Sequence, residues 1–133
     1  MNQRLKLCFL CVLIIGAIIG CSVSTKITLI SGKTRPPVSP EDVKIFDSVE
    51  KVIGEYEEIG LITSHGDYQK TDLAQMYSSM REAAAKVGAN GIILGPIEEP
   101  PTHQQVLNHF FPMQLDRRGK STAIYVFTQK EQK

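Results

Sequence analysis

The chain has no tryptophan, and aromatic residues make up only 7% of it. A broad base-stacking platform is therefore excluded. Charge is also scarce as a net quantity: 15 Lys and Arg stand against 14 Asp and Glu, a formal net charge of +1. Nucleic-acid binding rests on many cations meeting phosphates, and no such excess is present. The three cysteines all fall at or before position 21, so residues 22–133 have no thiol. That stretch can form no disulfide and no cysteine zinc cluster. No apolar run reaches bilayer length either. The longest, Leu7 to Gly20, has ~14 residues, against about 20 for a spanning helix.

What is present begins with that run. Arg4 and Lys6 precede it as a positive n-region, and the length suits a signal h-region. It ends in Ile18-Ile19-Gly20-Cys21, which resembles the lipobox of bacterial lipoproteins. The resemblance implies cleavage before Cys21 and acylation of that residue. Residues 1–20 are then a lipoprotein signal peptide, and the bilayer is a partner through acylated Cys21. Three acyl chains make a durable anchor, because each buried CH₂ contributes about 0.8 kcal/mol. Ser22 at the next position implies sorting to the outer membrane, facing the periplasm. The Cys8-x-x-Cys11 pair lies in the discarded segment and has no redox meaning. Loss of Arg4 and Lys6 leaves about 113 residues near neutrality, enough for one domain.

Residues 21–40 read as lipidated Cys and Pro-containing tether. Three of the seven prolines sit at Pro36, Pro37 and Pro40, and proline favours extended polyproline geometry. Lys26 to Ile30 alternates polar and apolar and could be a short strand, but is assigned to the tether. Residues 41–130 read as a single α+β domain. Val43–Phe46 and Glu55–Ser64 are strand candidates. Residues 72–87 form the clearest helix, with Leu73, Met76, Tyr77, Met80, Ala84 and Val87 in one stripe. Asp72 and Gln75 have capping-box spacing, and Gly88 suits a left-handed C-cap. Asn90–Gly95 reads as a buried strand and Ser121–Thr128 as the last one. Together these predict a small mixed sheet with one main helix in β-β-α-β-β order, including a βαβ crossover. Residues 96–120 are left as a long loop, with a short helix possible from His103 to Phe111 and a basic turn at Asp116–Lys120.

The segments Pro36–Phe46, Tyr56–Gly60 and Ala83–Ile93 together resemble the YbjQ/RcsF-like group of small bacterial lipoprotein domains. The likeness covers roughly residues 36–95. It implies a small β-α-β fold and a possible sensor or adaptor role through protein contacts. A signalling member of that group is held by disulfides, which residues 22–133 cannot make. No specific partner is carried over.

Chemistry-bearing motifs are few. His65, His103 and His109 are weak metal candidates, with Glu98 and Glu99 as further ligands to recruit. Their spacing lacks the tight pattern of known zinc sites, and solvated loop histidines are the plainer reading. Ser64-His65-Gly66-Asp67 has the residue types of a hydrolase triad, but adjacent residues do not converge as a triad does. Gly88-Ala89-Asn90-Gly91 lies at a helix end and is not a phosphate loop. The acidic residues Glu55, Glu57, Glu58, Glu98 and Glu99 read as solvated surface. The preferred functional surface is the 96–120 loop. There Val106, Leu107, Phe110, Phe111 and Met113 form an apolar patch, with Arg117 and Arg118 at its rim. The alternative is that Phe110 and Phe111 cover the open side of the sheet. The expectation is thus no enzyme and no cofactor. The chain is read as an envelope lipoprotein acting by protein–protein contact, with a small-ligand or metal-binding lipoprotein as the alternative.

Overall fold

The computed structural model describes residues 23–128. The expected signal peptide and Cys21 lie outside the described residues. The fold is α+β. Five strands form one mixed sheet: β1 (Ser24–Leu29), β2 (Lys44–Phe46), β3 (Tyr56–Asp67), β4 (Gly91–Glu98) and β5 (Asp116–Val126). Helix α1 (Leu73–Lys86) follows β3, and helix α2 (Thr102–Phe110) follows β4. Among the described residues no helix is long and apolar enough to cross a membrane.

The strand order across the sheet is β1-β3-β5-β4-β2. Along the chain the order is β-β-β-α-β-α-β, which corrects the expected β-β-α-β-β order. Strands β3 and β4 each pair with β5 in antiparallel fashion. They therefore run parallel to one another with β5 between them. The βαβ unit is split, and the last strand of the chain fills its gap. Only β2 with β4 is a directly paired parallel couple.

Helix α1 forms where the sequence predicts. Asp72 Oδ1 accepts from the Gln75 amide at 2.7 Å, and the Gln75 side chain accepts from the Asp72 amide at 3.0 Å. This reciprocal cap contributes about 1 kcal/mol. The helix lies on one face of the sheet. Met80, Ala84 and Ala85 are buried there in one cluster with Ile59, Ile62, Ile92 and Ala123, and Met76 is buried beside them. Leu73, expected in the stripe, stays largely exposed at the first turn.

The expected tether is instead part of the domain. Residues 24–29 pair with β3 in full register, from Ser24 opposite His65 to Leu29 opposite Gly60. Hydroxyls fix this edge strand: Thr25 Oγ1 lies 2.9 Å from Ser64 Oγ and 2.7 Å from Ser79 Oγ on α1. The proline segment then wraps the C-terminal end of α1. The Arg35 amide donates to the Val87 carbonyl and the Val38 amide to the Ala85 carbonyl, at 3.1 and 3.0 Å. Carbonyls at a helix end have no intrahelical donor, so an extended strand-like segment can satisfy them. Gly88 makes the close approach possible. Its φ is +77°, and a Cβ there would stand 2.5 Å from Arg35 Cβ. Val43 then enters the core.

The 96–120 stretch is also more ordered than a loop. β4 runs to Glu98, α2 occupies Thr102–Phe110, and β5 starts at Asp116. The expected basic turn at Asp116–Lys120 is strand, paired with Thr63–Asp67 of β3.

Candidate contact surface

Helix α2 has the reverse amphipathicity of α1. Its inward side is polar. Asn108 is 8% exposed, and its Oδ1 accepts from the Met113 amide at 2.6 Å. Gln105 Nε2 donates to the Pro100 carbonyl at 2.6 Å, and Gln105 Oε1 accepts from the Tyr68 hydroxyl at 3.1 Å. Its outward side carries the apolar residues, with His103 and His109 also exposed. Val106 is 57% exposed, Phe110 69%, Phe111 68% and Met113 41%, with Leu107 beside them. These side chains do not cover the sheet, which removes that alternative. These exposed apolar residues make α2 the candidate contact surface.

The two arginines expected at the rim separate. They are neighbours in β5, and successive strand residues point to opposite faces. Arg117 is locked beneath α2. Its Nη1 donates to the Thr71 carbonyl at 2.9 Å, its Nη2 pairs with Glu99 Oε1 at 3.0 Å, and its guanidinium lies 4.9 Å from the Tyr68 ring centroid. It positions the β4–α2 connection and is not free to meet a partner. Arg118 is exposed on the sheet face opposite α1, between His65 of β3 and Glu98 of β4 in the register.

That second face is a further surface which sequence reasoning did not single out. Lys26, Thr63 and Lys120 form one cross-strand row. Thr28, Leu61 and Thr122 form the next, with Leu61 exposed. Lys120 Nζ pairs with Glu98 Oε1 at 2.9 Å. This hydrogen bond, and secondarily the lysine charge, holds the Glu98 carboxyl below its ordinary value. The face is mixed but cationic on balance, through Lys26, Arg118 and Lys120. Its signal was the alternation of β1 and β3, which becomes readable only when β1 is recognised as a strand.

The histidines do not assemble a metal site. His65 is exposed in β3 and not in a turn, while His103 and His109 are exposed on α2. Among the described residues no group of three or more His, Cys, Asp or Glu converges on one point. Glu98 and Glu99, their expected companions, are paired with Lys120 and Arg117. The Ser64 hydroxyl faces α1 and is fully buried, while His65 points to the other face, so the triad-like tetrapeptide is divided by the strand. An open concavity of about 830 Å³ lies between β1, the end of β3 and the segment after α2, with Ser24, His65, Asp67, Asn108 and Met113 in its wall.

No protein-family model matches the chain, and no curated protein sequence matches it. Among solved structures, the crystal structure of the Francisella virulence factor FvfA is similar. The TM-score is 0.55 at 15% identity, over 77% of this chain and 97% of that one. At this identity the likeness shows the shared fold alone.

Proposed function

We propose that this protein is an envelope lipoprotein, anchored through acylated Cys21 at the outer membrane, that works by contact with another protein. A sensor, an adaptor or an assembly accessory would each use such a device. The observation that carries this reading is the open face of the sheet, where Lys26, Arg118 and Lys120 flank the exposed Leu61. Such a mixed, cationic surface suits an acidic protein partner. Helix α2, which hides Asn108 and presents Val106, Leu107, Phe110 and Phe111, adds an apolar surface that calls for a cover of its own.

The experiment is site-specific photo-crosslinking of the acylated chain in the envelope, with the probe at Leu61 or at Phe110. A single protein adduct supports the reading if Lys26→Glu with Arg118→Glu abolishes it at Leu61, or if Phe111→Ser abolishes it at Phe110. Absence of any protein adduct at both positions contradicts it. The ligand-binding alternative has one observation in its favour, the concavity beside His65 and Asp67. Calorimetry with divalent metals tests it, and no heat at micromolar metal ends it.

A further inference from the structure

The start of β1 and the exposed helix lie at the same end of the molecule. Strand β1 starts at Ser24, only three residues after Cys21. At about 3.3 Å per residue, that connection reaches roughly 10 Å. Ser24 in turn shares the wall of the large concavity with Asn108, Pro112 and Met113. An acylated Cys21 therefore brings the bilayer surface up to the segment that follows α2, with no long spacer to hold the domain away.

We propose that the occupant of the α2 patch is the lipid surface itself. The helix lies in the interface with Val106, Phe110 and Phe111 directed into the acyl boundary. Its inner side stays fixed to the domain by Gln105 and Asn108. This inference rests on the reading of Cys21 as acylated. Three features of α2 fit lipid. Nine residues make a helix about 13 Å long, which lies in the headgroup boundary and does not span it. The exposed side carries large apolar residues, with His103 and His109 beside them at headgroup level, while Gln105 and Asn108 are turned inward. The chain connection is too short to let this end leave the surface. The result is a two-point attachment that fixes orientation. The cationic sheet face is then left for the protein partner.

The absence of tryptophan makes the test direct, because a single introduced indole is the only one present. The acylated full chain is reconstituted in vesicles of phosphatidylethanolamine and phosphatidylglycerol carrying brominated acyl chains. Phe111→Trp reports on α2. Ile53→Trp is the control, since Ile53 is exposed and lies near Val126 and Phe127, at the other end of β5. The expected result is a blue-shifted Phe111→Trp emission, quenched about two-fold or more relative to unbrominated vesicles. The Ile53→Trp emission should not change. Equal, weak quenching of both indoles, with the acyl mass on Cys21 confirmed, overturns the lipid assignment and leaves the anchor standing. A protein adduct from a Phe110 probe in the native envelope, in place of a lipid adduct, overturns it in favour of a protein occupant. An unmodified Cys21 by mass spectrometry removes the anchor itself, a failure distinct from the other two.

Discussion

The two helices of this protein obey opposite rules. Helix α1 is capped at both ends, carries its apolar stripe inward and joins the sheet to the proline segment. Helix α2 has no side-chain cap at Pro101, turns its amides and asparagine inward and its aromatics outward. The first is explained by the fold alone. The second is not explained by the fold, and the proposed cover rests on it. The difference separates residues that hold the domain together from residues whose exposure the fold leaves unexplained.

Mutation breaks or sharpens this contrast. The largest effect belongs to the core under α1. Met80 is fully buried, and Met80→Ala should cost about 2–5 kcal/mol in denaturant unfolding. The matched change Phe110→Ala should stay within about 0.5 kcal/mol, because that ring is mostly exposed. A large loss for Phe110→Ala would place α2 in the core and end the contrast. Next comes Gly88→Ala. A left-handed φ and a clash with Arg35 and Pro36 should together cost about 1–3 kcal/mol by thermal unfolding. A neutral result would mean that the proline segment is not seated on the helix end. Smaller again is Asp72→Ala, which removes the side-chain arm of the cap for about 1 kcal/mol and leaves the backbone arm to Gln75, whereas Pro101→Ala at the start of α2 removes no side-chain cap.

The smallest effect concerns pH. The Glu98 carboxyl is held below its ordinary value by its hydrogen bond to Lys120. A depressed folded-state value means stability that is present above the unfolded-state value and lost as pH falls through the folded one. Both groups are surface-exposed, so the gain is slight and screened by salt. Carboxyl titration by NMR should show Glu98 ionising at lower pH than in Lys120→Met. An unchanged midpoint would remove the pair from the account.

Helix α1 was legible because its signals are local: a cap at Asp72 and Gln75, apolar residues three and four apart, and Gly88 at the end. The α+β class followed from it and from the β-branched runs around it. Strand β1 was legible only as an alternation at Lys26–Ile30, too weak to outweigh assignment to the tether. It is an edge strand in which Ile27 and Thr25 face inward, and it lies a few residues from a lipobox-like motif and before a proline cluster. What makes it a strand is long-range: pairing with β3 and the hydroxyl contacts to Ser64 and Ser79. The insertion of β5 between β3 and β4 was hidden for the same reason. A βαβ pattern reads identically whether its strands are adjacent or split. At the candidate surface, Val106, Leu107, Phe110, Phe111 and Met113 were identifiable as a group, but their direction was not. Gln105 and Asn108 decide it, through partners far from them in sequence or across the helix end. Arg117 and Arg118 looked alike as neighbours and differ because a strand sends them to opposite faces.

Amide hydrogen exchange of the acylated protein in lipid vesicles measures both helices in one sample. If α2 is held by an apolar cover and α1 by the core, replacing both Phe110 and Phe111 by serine should speed exchange across Val106–Phe111 several-fold and leave Met76–Ala85 unchanged. Identical α2 rates in the parent and the double variant would contradict the claim that this helix is built to be covered.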